Sequence, residues 1–261
     1  MMRPLCLALW FVPVLVAAQV GLRSPQFLAG LASRSAGSSF SPTNVANLAM
    51  WYHAESVAGS SGDEITSWDD SGPNGWTLVG SSGSSPYLTN SSEINGKKWL
   101  SFDGSNDFLK HGHGSLSQPT TVFALVKFDG LPAASASVLD GTNASTRMLL
   151  GITSAGAFQI SGGTSLSSSS SLVQAGHWVL LEATFNGSTT SDIRTNAAAV
   201  QTGDAGTQAA SGLYVGQRQA GGRYLDGGLA TILIYQTNLA STDRASIRAW
   251  VTNTFGAYET W

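Results

Sequence analysis

The sequence predicts an all-β, two-sheet antiparallel sandwich with one short C-terminal helix and an N-terminal extension. Short runs of β-branched, aromatic and other apolar residues recur about every ten to twenty residues from Leu48 onward, and Gly, Asn, Asp, Ser and Pro separate them. Helical periodicity is almost absent before Ser241. The hydrophobic share of 42% is enough for a packed core. Many short strands with polar turns are typical of a sandwich.

The N-terminal extension is predicted to be separate from the sandwich domain. We place the extension at residues 1–38 and the domain at residues 39–261, because residues 33–41 are rich in Ser and Gly and are typical of a hinge. A length of 261 residues suits one all-β domain with such an appendage.

Two interpretations of the extension remain open. Arg3, a short apolar run and small residues ending at Ala18 are typical of a secretory signal peptide, residues 1–18. Alternatively, residues 1–38 form an uncleaved apolar arm that packs into another protein or a sibling subunit. The apolar run is too short for a membrane span and contains Pro13, so we predict no transmembrane helix.

The strands follow in order along the domain. Residues 161–171, which are mostly Ser and Gly, predict a surface loop or a frayed edge strand. Residues 186–206 predict a hairpin whose tip includes Asn196. The other predicted strands are residues 120–128, 138–139, 147–152, 157–160, 178–185, 212–216 and 228–235.

A single amphipathic helix is predicted at the C-terminus, lying on the sandwich. Its apolar residues fall at i, i+3, i+4 and i+8, and they are Ile247, Trp250, Val251 and Phe255. Ser241 or Thr242 is expected to cap the start, Asp243 suits the first turn, and Gly256 suits the end.

The charge pattern excludes some partners. Charged residues make up 11% of the chain, the net charge is −3, and Lys and Arg form no run. Nucleic acid binding needs several positioned cations, so we do not predict a nucleic acid partner. Cys6 is the one cysteine and forms no internal disulfide.

The acidic turn WDDSGPNG, residues 68–75, is a candidate metal site. The carboxylates of Asp69 and Asp70, with Ser and Asn oxygens nearby, are ligands that suit Ca²⁺. The alternative is that one carboxylate accepts backbone N–H bonds and holds the turn. Residues 103–107, Asp-Gly-Ser-Asn-Asp, predict a second tight turn.

Catalytic patterns are missing from the sequence, so we expect no enzyme activity. His111 and His113 would share one face of a strand, but no third ligand with zinc-site spacing accompanies them. Glu182 and the other glutamates do not form a spaced carboxylate pair, and no Ser-His-Asp or Cys-His pattern is present.

Sugar binding remains a hypothesis that the residues support. It needs an aromatic face for the ring and polar groups for the hydroxyls. Residues 217–224 place two arginines and a tyrosine on a Gly-rich loop, and Arg also suits acidic polysaccharides. The candidate binding residues in or beside predicted loops are Asn74, Trp76, Tyr87, Arg147, Arg218, Arg223 and Tyr224.

Four segments in fixed order carry a family resemblance. They are residues 48–56 (LAMWYHAES), 68–75 (WDDSGPNG), 95–109 (NGKKWLSFDGSNDFL) and 225–235 (LDGGLATILIY), followed by the helical segment. Together they resemble the concanavalin A-like (laminin G-like) jelly roll of phage structural and fibre proteins, bacterial surface proteins and carbohydrate-binding modules. His53 departs from the pattern, because such relatives usually have Asp there.

The resemblance implies a fold more firmly than a function. We expect a non-catalytic structural or adhesion protein on a virion surface, displaying a glycan-binding jelly roll to a host polysaccharide. Its arm would anchor it to a capsid or tail protein, and copies would form a homo-oligomer. The alternatives are a secreted bacterial lectin-like module and a glycoside hydrolase or lyase of the same fold. We expect no cofactor other than a possible Ca²⁺ ion.

Overall fold

The computed structural model describes residues 40–169, 172–196 and 198–256. The arm or signal peptide predicted for residues 1–38 lies outside the described residues. The strands are β1 Leu48–His53, β2 Ser67–Trp68, β3 Leu78–Val79, β4 Tyr87–Asn90, β5 Lys98–Asp103, β6 Leu109–Leu116, β7 Thr120–Phe128, β8 Ser135–Asp140, β9 Leu149–Thr153, β10 Phe158–Ser161, β11 Ser165–Ser167, β12 Trp178–Phe185, β13 Ser191–Thr195, β14 Ala198–Gly203, β15 Ala210–Val215 and β16 Asp226–Tyr235. Short 3₁₀ turns occupy Pro42–Asn44, Ala54–Ser56 and Ser92–Ile94, and helix α1 is Ser241–Phe255.

The strands form two antiparallel sheets of eight strands each. The first sheet has the order β14-β13-β12-β7-β16-β5-β4. Strand β16 pairs with β7 along one side, while β5 and β1 share its other side, β5 opposite residues 226–229 and β1 opposite residues 231–235. The second sheet has the order β11-β10-β9-β8-β15-β6-β3-β2. The predicted all-β two-sheet sandwich is confirmed.

The first core fills the space between the sheets. Alternation along β7 decides which residues enter it, since successive side chains of a strand point to opposite faces. Val122, Val126 and Phe128 of β7 join this core, together with Leu150 and Phe158 from the second sheet. The intervening residues of β7 therefore face the other way.

A second core covers the opposite face of the first sheet. Phe123 and Leu125 of β7 pack there with Ile247, Val251 and Phe255 of α1. The first sheet is therefore buried on both faces, and every residue of β7 and β12 is buried. This explains why these two strands read as continuous apolar runs rather than alternating ones.

Helix α1 confirms most of its predicted features. Asp243 lies in its first turn, and Gly256 ends it with a φ of 87°. The predicted side-chain cap is wrong, because Ala240 occupies the N-cap and Arg244 instead donates its Nε to the Leu239 carbonyl. This contact ties the first turn of the helix to the residue before the N-cap, but it accepts none of the N–H groups of that turn.

Weakly patterned segments also follow the predictions. Ser165–Ser167 forms β11, a short edge strand of the second sheet, within the segment predicted as a loop or edge strand. Strands β13 and β14 form the predicted hairpin, and Asn196 at its tip has a φ of 49°. None of the described helices is both long and apolar enough to span a membrane.

Candidate functional site

The outward face of the second sheet is the sheet face that neither core covers. Backbone register aligns Val79 of β3, Lys110 of β6, Tyr214 of β15 and Asp140 of β8 in one row across four strands. Val79 is 48% exposed and Lys110 is exposed. We call this row and its neighbour Phe108 the open face.

An aromatic pair lies at the centre of the open face. The rings of Phe108 and Tyr214 are 5.8 Å apart and tilted by 54°. The Lys110 ammonium lies 6.0 Å from the Phe108 ring and 5.9 Å from the Tyr214 ring, at the outer limit of a cation–π contact. Strand alternation produces this arrangement, because Leu109 and Leu213 enter the first core and turn their neighbours outward.

A buried ion pair adjoins the aromatic pair. Arg147 donates to both oxygens of Asp140, from Nε at 3.0 Å and from Nη2 at 2.8 Å. The backbone N–H groups of Gly141 and Gln219 also donate to this carboxylate. Asp140 is fully buried, so its charge is committed to holding Arg147 and the neighbouring loop in place.

Residues 217–224 form a loop between β15 and β16 that we call the arginine loop. It turns on two backbone hydrogen bonds between Arg218 and the Gly221-Gly222 pair, where both glycines have positive φ. The Arg223 carbonyl accepts from the Ser137 N–H, and the Arg223 guanidinium donates to the Ser135 hydroxyl. The loop is thus attached to β8.

Arg218 is held among like charges. Burial first, and then the guanidinium groups of Arg223 and Arg147, lower its pKa, whereas Asp140 opposes the shift. Its Nε is shielded from solvent and has no hydrogen-bond acceptor in the described part of the chain. Since arginine stays protonated in proteins, the loop carries an uncompensated positive charge.

The acidic turn of residues 68–75 lies against the free edge of β1. Asp70 Oδ1 accepts the N–H groups of Trp51 at 2.8 Å and Gly72 at 2.6 Å, and Oδ2 accepts that of Trp76 at 3.3 Å. The Asn74 amide donates to the Ala49 carbonyl at 2.8 Å. The turn therefore satisfies backbone groups that β1 would otherwise leave unpaired.

Replacing Asp70 by alanine is expected to lower the free energy of unfolding by about 2–3 kcal/mol, because three backbone donors lose a charged acceptor. Asp69 is the matched control. It is exposed and accepts only from the Thr77 hydroxyl at 2.9 Å, so Asp69→Ala should cost less than about 1 kcal/mol. Urea unfolding measures both. Equal losses would contradict the structural role assigned to Asp70.

The Ca²⁺ hypothesis for Asp69 and Asp70 stays a prediction. The described residues contain no group of three or more His, Cys, Asp or Glu side chains placed to hold a metal ion. Calcium binding at the turn would raise the melting temperature of the parent protein in added Ca²⁺, and the Asp69→Ala variant would lack that rise.

Trp76 packs at the margin of the first core. Its ring stacks on His113 at 4.7 Å and on His111 at 5.9 Å, and its carbonyl accepts the Tyr52 hydroxyl. Burial lowers the pKa of His113 and favours its neutral ring. The histidine pair therefore forms part of an aromatic stack. Each ring also contacts a carbonyl, His111 Nδ1 that of Thr77 at 2.9 Å and His113 Nδ1 that of Gly114 at 2.5 Å.

Asn74 lines a polar cleft of about 400 Å³ on another part of the surface. The amide groups at this cleft are already engaged, since Gln118 donates to the Gly206 and Gln208 carbonyls and accepts from the Gly187 N–H. Gln236 donates to the Ser117 hydroxyl. The cleft thus offers fewer free polar groups than its lining residues suggest.

Asp107 shows the effect of burial on a carboxyl group in the second predicted turn. It is 3% exposed and accepts the Asp103 N–H at 3.0 Å. Burial raises its pKa from 3.8 to about 6, against the opposing effect of that hydrogen bond. The predicted turn is confirmed, since Asp103 in turn accepts the N–H groups of Ser105 and Asn106.

The free energy of unfolding should therefore fall as the pH rises through the window from about 4 to 6. Within it the folded protein keeps a proton on Asp107 that the unfolded chain has lost. The Asp107→Asn variant has no carboxyl group at this position, so this fall in its free energy of unfolding should be absent. Urea unfolding measures the free energy of unfolding of both proteins at each pH. The value of the parent minus that of the variant should decline by on the order of 1–3 kcal/mol across the window and stay constant above it. A flat difference throughout would contradict the raised pKa.

The structure brings some predicted site residues together and separates others. Arg147 is bonded to Asp140 at the end of β8, and the arginine loop, which carries Arg218, Arg223 and the half-buried Tyr224, is bonded to the same strand. Asn74 and Trp76 belong to the turn beside β1. Tyr87 is 46% exposed but lies on edge strand β4 of the first sheet rather than in a loop.

Sequence reasoning missed Phe108, Lys110, Asp140 and Tyr214. Alternation contains a signal for three of them, because Phe108-Leu109-Lys110 and Leu213-Tyr214 place the leucines inward. No sequence pattern near Asp140 predicts its role, because its partner Arg147 follows seven residues later, across a turn.

Three solved structures are similar to this chain in fold. The Trypanosoma rangeli sialidase in complex with sialic acid is similar at a TM-score of 0.57 and 13% identity, over 81% of this chain and 34% of the sialidase chain. Domain 4 of AbnA, a GH43 extracellular arabinanase from Geobacillus stearothermophilus in complex with arabinotriose, is similar at a TM-score of 0.56 and 14% identity. The match covers 80% of this chain and 98% of that domain. The receptor binding domain of botulinum neurotoxin D is similar at a TM-score of 0.59 and 10% identity. The match covers 80% of this chain and 54% of that chain.

These identities establish likeness of fold alone, and the chain spans about a third of the sialidase. No curated protein matches the sequence. The family model of the concanavalin A-like lectin/glucanase superfamily matches residues 103–251. Because that match covers more than half of the chain and the two-sheet jelly roll agrees with it, the protein belongs to the concanavalin A-like lectin/glucanase superfamily.

Proposed function

We propose that the domain is a non-catalytic carbohydrate-binding module that uses the open face. The aromatic pair of Phe108 and Tyr214 carries this proposal, because half-buried aromatic rings on a sheet face that neither core covers can pack against the C–H face of a sugar. Ser211 and Ser115 continue the same face, and their hydroxyls suit sugar hydroxyl groups. The likeness to sugar-related folds supports this assignment.

Non-catalytic binding is supported by the state of the carboxylates. Each of the described glutamates, Glu55, Glu64, Glu93 and Glu182, is engaged by a cation or by an N–H or O–H donor. Asp140 is committed to Arg147. Incubation with polysaccharides should release no new reducing ends. Release that disappears in a carboxylate variant would support a hydrolase or lyase instead.

Tyr214→Ala tests the location of the binding face. We expect it to weaken binding at least about tenfold, roughly 1.4 kcal/mol, in affinity electrophoresis against a panel of polysaccharides. Tyr87→Ala is the matched control, since Tyr87 lies on the first sheet. It should change affinity less than about twofold. Loss of binding in Tyr87→Ala with retention in Tyr214→Ala would overturn the assignment to the open face.

As the setting we propose the surface of a virion. There the apolar residues 1–38 would anchor the domain to a capsid or tail protein, and repeated copies would strengthen weak sugar contacts. A secreted lectin-like module is the alternative. Intact mass and N-terminal sequencing of native protein separate them. A chain starting at Met1 or Met2 in a large assembly supports the virion, whereas a free monomer starting at Gln19 supports secretion.

A further inference from the structure

Three arginines and one carboxylate meet beside the open face. Arg218 interacts electrostatically with Arg223, Arg147 and Asp140, and its loop is bonded to Asp140 through the Gln219 N–H. Asp140 neutralises one of the three positive charges, and its bidentate bond with Arg147 identifies which one. No carboxylate in the described part of the chain lies within ion-pair distance of either remaining guanidinium.

The surroundings hold these two cations in place. The backbone of the arginine loop is bonded to β8 through Ser137 and to Asp140 through Gln219. Arg218 is partly buried, and its Nε lacks an acceptor. Desolvated donors without acceptors are costly to retain, and an added anion would satisfy them. The protein has a net charge of −3, so this local excess of cations is not a general property of its surface.

The position of these cations beside Tyr214 indicates which kind of molecule would carry the anion. Tyr214 is the cross-strand partner of Asp140, and such neighbours have Cβ atoms about 5 Å apart. Lys110 lies on the other side of Tyr214 in the same row and adds a positive charge there. A sugar ring stacked on Tyr214 would therefore hold its acidic substituent near cations on both sides.

We infer that Arg218 and Arg223 form an anion subsite for the carboxylate or sulfate group of an acidic saccharide whose ring packs on Tyr214. This inference rests on the proposed function and names its substrate class. Guanidinium groups bind carboxylate and sulfate in the same bidentate manner, so the two anions share this chemistry. Arg147, fixed by Asp140, positions the loop and adds to the local field.

Matched polymers test the inference. Polygalacturonate is compared with its methyl ester, and dextran sulfate with dextran, by titration calorimetry on the parent protein. We expect the acidic member of at least one pair to bind at least about tenfold more tightly at low salt, with the preference shrinking as salt is raised. Preference in the first pair identifies a carboxylate subsite, and preference in the second identifies a sulfate subsite.

Variants assign the preference to residues. The Arg218→Gln/Arg223→Gln double variant should lose the preference while keeping its affinity for the neutral polymers. Lys97→Gln removes one positive charge from an ion pair elsewhere and should keep the preference. Melting temperatures verify that each variant is folded. If the double variant is unfolded, the single variants Arg218→Gln and Arg223→Gln are tested in its place.

Distinct results overturn the two proposals. If the parent binds neutral and acidic polymers equally, or if the double variant keeps the preference, the anion subsite is wrong and the carbohydrate-binding function stands. If the parent binds none of the saccharides in the panel, the proposed function fails and the subsite with it. Tyr214→Ala should weaken both members of a pair, which separates ring packing from anion binding.

Discussion

Replacing Glu182 by glutamine is expected to lower the free energy of unfolding by about 3–5 kcal/mol, the usual effect of breaking a buried ion pair. Glu182 is 1% exposed. It accepts Arg244 Nη1 at 2.5 Å and Arg248 Nη1 at 2.7 Å, and Arg194 Nε lies 3.9 Å away. Glutamine keeps the shape but removes the charge that holds three arginines between the first sheet and α1.

Urea unfolding followed by tryptophan fluorescence measures this loss, which corresponds to a fall in melting temperature of roughly 10 °C. Lys97→Met is the control, because it breaks a Lys97–Glu55 pair whose side chains are about one third exposed. Exposed pairs contribute no more than about 1 kcal/mol. If Glu182→Gln were as mild as the control, the cluster would not hold the helix on the sheet.

Replacing Trp178 by alanine is expected to cost about 3–5 kcal/mol, as large aromatic truncations in a core do. Trp178 is 6% exposed and meets Trp99 edge to face at 5.5 Å. Its Nε1 donates to Glu93 at 3.1 Å, and the same carboxylate accepts Lys127 Nζ at 3.0 Å. The substitution therefore leaves a cavity and also removes one donor from Glu93.

Trp250→Ala provides the comparison on the helix. Trp250 is only partly buried, with edge-on contacts to Trp51 at 5.6 Å and Phe255 at 5.9 Å. Its truncation should cost less than half as much as that of Trp178, because a partly exposed ring loses less burial. The two free energies of unfolding come from the same urea titration. Equal costs would show that the helix face packs as tightly as the sheet.

The fold could be predicted from the sequence where the residues of a single strand form a recognisable pattern. Thr120–Phe128 and Trp178–Phe185 have the predicted bounds, because burial on both faces makes each strand a continuous apolar run. The side-chain cap of α1 was predicted wrongly for the opposite reason. The start of this helix forms no local side-chain cap, and Arg244 in its first turn is bound to Glu182, which is distant in the sequence.

The candidate site could be predicted only in part. Arg218, Arg223 and Tyr224 are close in sequence, and their Gly-rich loop is visible there. Lys110 and Arg147 lie on other strands and turns, so no run of positive charges reveals that the sheet brings them to one end. The partner of each charge is set by the pairing of β8, β15 and β6, which local patterns do not specify.

The connection between the arginine loop and β16 has a mechanical consequence. The loop leads directly into Asp226–Tyr235, a strand whose two edges are both hydrogen-bonded, to β7 on one side and to β5 and β1 on the other. Tension on a ligand held by this loop would pull β16 along its own length. Its interstrand hydrogen bonds would then share the load in shear instead of opening one after another, so the loop is attached where the sheet best resists being pulled apart.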